Sequence, residues 1–300
     1  MAKILITGGT GLVGTHLSKI LSKSGHEISH LSRSADPDAT YPTFKWNIQE
    51  KYIDPKAFDG IDHIIHLAGA GVADKRWSME RKQVIIDSRV NSTRLLKEQV
   101  SNLGITLKSF ISASAIGYYG MDTGEAHLKE DSSSGEDFLA QVVKKWESEA
   151  DTFSDITSVA KVRIGVVLSD EGGAMAEIVK PIKFYVGAPL GTGLQYMSWI
   201  HIEDLCLVFK HVLEQKLSGT YNATAPNPVS NEALTKTLAR VLNKPLWLPN
   251  VPAFVMRLML GEMAEMVLGG NYVLSDKIQS TGFKFKFTEV EAAVKDLINS

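Results

Sequence analysis

Lys3-Ile-Leu-Ile-Thr7-Gly8-Gly9-Thr10-Gly11-Leu12-Val13-Gly14-Thr15-His16-Leu17 decides the fold. The apolar run Lys3–Thr7 reads as a strand that stops at two glycines. Beyond them Leu12, Val13, His16, Leu17, Ile20 and Leu21 recur at helical spacing until Gly25. A glycine-rich turn between a first strand and a first helix suits a dinucleotide. Gly8 and Gly11 allow a tight turn and close approach of a pyrophosphate to helix amides, and Gly14 lets the helix pack on the strand. An ordinary glycine turn is the competing reading, and the strand–turn–helix context favours the dinucleotide. The Gly-Lys-Ser/Thr ending of a nucleoside-triphosphate loop is missing.

Working outward, strands are expected at Glu27–Leu31, Thr43–Trp46, Asp62–Leu67, Ser109–Ser114 and Val159–Val167. Helices are expected over Ser78–Ser101 and Glu136–Ala150. Strands this apolar, alternating with helices, predict an α/β protein with a doubly wound parallel sheet covered on both faces. The division predicted is a nucleotide-binding domain over residues 1–168, with a returning segment near 200–225, and a smaller mixed lobe over 169–300. In that lobe Phe283–Phe287 alternates like a half-buried strand, and Met256, Met259, Met263 and Met266 share a helical spacing that suits a core.

The 300 residues, 44% hydrophobic and 22% charged, exclude disorder and coiled coil. A net charge of -2 argues against a nucleic-acid partner. The lone Cys206 can form neither an internal disulfide nor a cysteine cluster, and no metal-ligand motif is present. The amino-terminal run reads as a strand and not a secretion signal, and no apolar run reaches membrane-spanning length. A cytoplasmic protein without a membrane partner is expected.

Ser32-Arg33 stands 18 residues after Gly14, where an NAD site usually carries a carboxylate. A hydroxyl and a guanidinium suit a 2′-phosphate, so NADP is expected over NAD. Leu67-Ala68-Gly69 closes a strand with a surface small enough to pass under an adenosine, and Arg89 on the following helix could reach the same cofactor. Ser112-Ala-Ser114 and Tyr118-Tyr119 place hydroxyls after a strand end, where one could orient a substrate oxygen and another move its proton. Lys75 and Arg76 could meet an anionic substrate. Gly187–Gly193 and Trp199–Asp204 read as cleft lining, which adds Trp199 to the candidate substrate contacts. His63 and His66 read as packing.

On these residues the chain resembles the extended short-chain dehydrogenase/reductase superfamily and, more narrowly, the YfcH-type epimerase family with its own C-terminal domain. The resemblance runs through Gly8–Gly14, Leu67–Gly69, Lys75–Trp77, Ser88-Arg89, Ser112–Ala115, Trp146-Glu147, Arg163, Gly165–Leu168, Trp199–Ile202, Tyr221-Asn222 and Ala225–Pro228. It implies a Rossmann domain with NADP against Gly8, Thr10, Gly11, Leu12, Val13 and Gly14. It further implies Ser32 and Arg33 at the 2′-phosphate, Leu67, Ala68 and Gly69 beside the adenosine, Arg89 in place of the superfamily's helix asparagine, and Val167 near the nicotinamide. Ser114 matches the catalytic serine, and members of the superfamily often form homodimers.

One departure stands out. The superfamily's Tyr-x-x-x-Lys pair falls on Leu139 and Val143, and Lys144 is one residue out of register, about 100° around the helix. Two functions follow: an NADP-dependent oxidoreductase or epimerase of a small molecule with a rebuilt proton relay through Tyr118 or Tyr119, or a catalytically degenerate NADP-binding sensor.

Overall fold

The computed structural model describes residues 1–34, 36 and 38–299, so Ser300 of the predicted second lobe lies outside it. The first half runs β1 (Lys3–Thr7), α1 (Leu12–Lys23), β2 (Glu27–Ser32), β3 (Thr43–Asn47), β4 (Tyr52–Ile53), β5 (His63–His66), α2 (Met79–Asn102), β6 (Ser109–Ala115), β7 (His127–Leu128), α3 (Phe138–Asp151) and β8 (Ser158–Ile164). There follow β9 (Val166–Leu168), α4 (Gly173–Lys183), β10 (Tyr196–Met197), β11 (Trp199–His201), α5 (Ile202–Glu214), β12 (Gly219–Ala223), β13 (Val229–Ser230) and α6 (Asn231–Val241). The chain ends with α7 (Ala253–Leu260), α8 (Glu265–Leu268), β14 (Tyr272–Val273), α9 (Asp276–Ser280) and α10 (Val290–Asn299).

The main sheet has the order β12-β8-β6-β5-β1-β2-β3-β4 and is parallel throughout except at β3–β4. Every central strand is apolar on both faces because both are covered. Ile4, Ile6, Ile65 and Ile111 face one core, which α1 and α5 complete. Leu5, Ile64 and Phe110 face the other, with Leu95 and Leu96 of α2 and Phe153 beyond α3. The chain runs from β1 outward to β2 and then back across to β5. Their carboxyl ends therefore splay at Thr7–Gly8 and His66–Leu67, the topological switch where such sheets take a ligand. Serine and aspartate side chains set the helix starts: Ser78 accepts from Arg81 N, Asp137 from Ala140 N and Ser230 from Ala233 N.

Three expectations are corrected. The strand predicted over Val159–Val167 breaks at Gly165, whose N–H bonds Ala223. Val166 N–H then bonds Ser198, and β9 leaves the main sheet to pair with β11. Phe283–Phe287 is not a strand. Phe283 and Phe287 are buried, but the amides of Lys286 and Phe287 donate to the carboxylate of Asp204, at 2.8 and 2.9 Å, and not to a neighbouring strand. The methionine spacing does not mark one helix, because the chain turns at Gly261. Met256 and Met263 are buried, whereas Met259 is exposed. The segment β11–α5–β12 returns to the first lobe: α5 packs on α1, and β12 pairs with β8 in register from Gly219–Ala160 to Ala223–Ile164.

Candidate functional site

The switch point is built from β1, the turn after it and the end of β5. Gly8 has φ +69° and lies against the next segment, where a Cβ would come within 3.1 Å of the Leu67 carbonyl carbon and Ala68 N. A Cβ on Gly14 would stand 2.2 Å from the Gly8 oxygen, so only glycine lets α1 start this close to the turn. No side chain caps α1, which leaves its first-turn amides turned toward the loop. Thr10 is exposed at the tip, and Leu12 and Val13 are half-buried beside it. Thr7 Oγ1 accepts the N–H groups of Leu67 and Ala68 and donates to His66 Nδ1 at 2.7 Å. His66 Nε2 then faces Ser92 Oγ at 3.1 Å, and Ser92 donates to the Ser88 carbonyl. Each member of this chain has one donor role to fill, which assigns the Nε2–H tautomer. Burial, aided by Arg89, pushes His66 down to about 3, so the ring is neutral. The packing role read for His66 holds, and His63 bonds Ser109 at 2.8 Å in the same manner.

Two cations stand at the end of β2. Arg33 is exposed just past Ser32, and the β2–β3 register sets exposed Lys45 opposite Ser32. Neither has a carboxylate within ion-pair distance among the described residues. Sequence reading missed Lys45, since only the pairing register brings it to Ser32. Arg89 is half-buried under the Gly69–Ala70 turn. Its Nη1 donates to the Ala70 and Ile85 carbonyls at 3.0 Å, and its guanidinium lies 5.1 Å from the Trp146 ring centre. Desolvation pulls it down to about 10, with Arg81 adding repulsion, and no carboxylate among the described residues pairs with it.

The hydroxyls at the end of β6 and in the turn after it are used differently from expectation. Ser114 donates to Glu147 Oε1 at 2.6 Å, and Glu147 grips Arg163 through two bonds of 2.8 and 2.9 Å. Arg163 Nη1 also donates to Tyr119 Oη and to the Glu130 carbonyl, while Tyr119 donates to Asn222 on β12 at 2.7 Å. Burial tends to lower Arg163, and its bonds to Glu147 and Tyr119 outweigh that and hold it above its ordinary range. Tyr119 is 2% exposed with both hydroxyl roles taken, and burial pushes it up to about 12. Its placement as acid/base is therefore corrected to a structural role. Tyr118 is half-buried, with its ring centre 3.4 Å from the Arg163 guanidinium carbon, and its hydroxyl has no partner among the described residues. Leu139 lies against Gly117, where a Cβ would sit 3.6 Å from Leu139 Cβ. Val143 is buried, and Lys144 is exposed as its register predicts.

Trp199 is also corrected. It is fully buried, with Nε1 donating to the Asn227 carbonyl, so no substrate can touch it. Val167 is partly buried in β9, beside the start of α4. Lys75 and Arg76 stand exposed on the loop before α2. Arg76 abuts Gly261 at the end of α7, and Lys82 bonds Glu262 at 2.6 Å, so the second lobe closes on this loop. Trp77 packs edge-on against Phe138, the first residue of α3, with ring centres 5.0 Å apart.

Residues 4–141 match the model of the NAD dependent epimerase/dehydratase family, and residues 251–297 match a domain of unknown function, DUF1731. The chain is 36% identical to epimerase family protein YfhF of Bacillus subtilis (strain 168), covering 98% of this chain and 97% of that one. It is 38% identical to epimerase family protein SAR0825 of Staphylococcus aureus (strain MRSA252), across the whole of both. Among solved structures, human epimerase family protein SDR39U1 with NADPH superposes with a TM-score of 0.89 at 30% identity, over 99% of each chain. UDP-N-acetylglucosamine 4-epimerase from Bacillus cereus shares the fold at a TM-score of 0.77 and 18% identity. With full-length relatives at this identity and the glycine cradle at the sheet's switch point, the chain belongs to the epimerase family, a Rossmann-type nucleotide-binding α/β protein with a DUF1731 C-terminal domain.

Proposed function

We propose that this chain is a YfcH-type member of the family that binds NADP(H) and carries out reversible hydride transfer on a carbonyl or alcohol of a small anionic substrate seated between the lobes. The observation that carries the cofactor half is the set of cations without acid partners around the glycine cradle: Arg33 and Lys45 at the end of β2, and Arg89 beneath Gly69. These residues fit a nucleotide with a pyrophosphate and a 2′-phosphate. The NADPH in the human relative supports the same preference. The nicotinamide supplies or accepts the hydride when bound.

The chain's own residues then have limited tasks. The uncapped amides of α1 meet the pyrophosphate, and Arg33 and Lys45 hold the 2′-phosphate. Lys75 and Arg76 draw in the substrate's negative charge. Tyr118 keeps an uncommitted hydroxyl and is the residue left to move a proton. Ser114, committed as donor to Glu147, keeps lone pairs that can accept from a substrate hydroxyl.

NADP and NAD titration by native mass spectrometry, followed by a carbonyl and nucleotide-sugar panel, tests this reading. NADP is expected to bind much more tightly than NAD, with the preference lost in Arg33→Ala. Tyr118→Phe is expected to cut turnover ~10²–10⁴-fold. Equal binding of both nucleotides, or of neither, overturns the cofactor half, and unchanged turnover in Tyr118→Phe removes that residue from the relay. A second reading, an NADP-loaded sensor, is favoured by one observation: Leu139 and Val143 fill the proton-transfer positions with packing groups. A partner whose affinity differs between NADP and NADPH, with no turnover on the panel, selects it.

A further inference from the structure

Large apolar side chains crowd the outer edge of the second lobe. Phe184 closes α4 at 71% exposure, with Tyr185 and Val186 exposed after it. Two stretches run together from there: Lys244 Nζ bonds Tyr185 Oη at 2.7 Å, Leu190 pairs with Val251, and Asn250 donates to the carbonyls of Gly191 and Thr192. Between those ties Trp247 projects at 65% exposure, and Leu194 stands exposed just past them. The second stretch passes directly into α7, where Phe254 and Leu258 share one face, 70% and 77% exposed. These exposed apolar side chains thus stand on segments that the ties above hold together, and are more than the single apolar residues of an ordinary surface.

Its rim is basic. Lys180 lies one turn before Phe184 on the same face of α4, Lys183 precedes Phe184 directly, and Lys244 reaches Tyr185. None of the three has a carboxylate within ion-pair distance among the described residues. Aromatic and aliphatic tips with unpaired lysines at their edge match the interface of an anionic bilayer: rings and leucines enter the acyl boundary while ammonium groups meet headgroup phosphates.

We infer that the edge formed by the end of α4, the segment around Trp247 and the exposed face of α7 is a peripheral docking surface for an anionic membrane. This departs from the sequence expectation of no membrane partner, which is drawn from the lack of a spanning run. Among the described residues no helix is long and apolar enough to cross a bilayer, and surface attachment requires none. Since α7 ends at Gly261 against Arg76, docking sets the mouth of the candidate site beside the lipid headgroups.

Flotation of the full chain with vesicles tests this, comparing phosphatidylcholine alone with phosphatidylcholine containing about a third phosphatidylglycerol. The chain is expected to float with the anionic vesicles and not with the neutral ones, and to be released by salt. Each lysine removed (Lys180→Ala, Lys183→Ala) is expected to weaken partition about fivefold. Trp247→Ser with Leu258→Ser is expected to abolish flotation while the melting temperature is kept, because both side chains are exposed. Three results overturn the inference: no flotation with either vesicle, flotation unaffected by these variants, or a solution dimer that Leu258→Ser dissociates, which would make a second copy the occupant.

Discussion

Glu147→Leu is the most informative single perturbation of this fold. Glu147 accepts three short bonds, from Ser114 at 2.6 Å and from Arg163 at 2.8 and 2.9 Å, and Arg163 is only 3% exposed. Removing the carboxylate leaves a buried guanidinium with two neutral acceptors, Tyr119 Oη and the Glu130 carbonyl. Breaking a buried pair from one side costs about 3–5 kcal/mol, because the remaining charge is uncompensated. At about 2–4 °C per kcal/mol for a chain approaching this size, the melting temperature should fall by roughly 6–20 °C. The double variant Glu147→Leu with Arg163→Met removes both charges together and is expected to recover most of that loss. Calorimetry of the wild type, both singles and the double closes the cycle. A Glu147→Leu loss below about 1 kcal/mol, or a double variant as costly as the two singles summed, would refute the claim that Arg163 depends on Glu147.

Three other outcomes are expected. His66 sits near 3 when folded and near 6.5 when unfolded, so below pH 6.5 the unfolded chain takes up a proton that the native one refuses. Its stabilising effect is therefore complete above pH 6.5 and is lost as pH falls toward 3; urea midpoints should show about 2 kcal/mol less stability at pH 5 than at pH 7.5, and His66→Gln should flatten that slope. Gly14→Ala puts a methyl 2.2 Å from the Gly8 oxygen and should cost about 1–3 kcal/mol and at least tenfold in NADP affinity, read by melting and titration. Asp204→Ala strands the amides of Lys286 and Phe287 and should cost about 2–4 kcal/mol, with hydrogen exchange rising first across residues 283–288.

The first half of the fold is readable from residues because its signals are local. The run before Gly8, the helical spacing after it and the alternation that follows each follow from one element's own burial, and the element bounds agree with the structure to within a few residues. The errors share a different cause. Phe283–Phe287 has the period of a strand, but its amides are satisfied by Asp204, some eighty residues earlier, and nothing near it in sequence announces that. The Ser114–Glu147–Arg163–Tyr119–Asn222 network joins residues from β6, α3, β8, the turn after β6 and β12. A reading of types alone sees hydroxyls available for chemistry where the structure has already used them. Lys45 shows the reverse: an unremarkable lysine becomes a candidate phosphate contact once strand register sets it beside Ser32.

The placement of β12 has a consequence for synthesis. The strand lies at the far edge of the main sheet, yet it is made more than fifty residues after its neighbour β8. While a ribosome is still building the intervening stretch, the seven-residue edge of β8 is bare, with a row of unpaired amides and carbonyls open to any passing strand. The hydroxyl of Tyr119 likewise waits for Asn222. The outer edge of β8 is therefore covered only once residues 219–223 have been made. A nascent chain stalled near residue 168 would present that bare edge to chaperones and proteases, and only the returning segment β11–α5–β12 closes it.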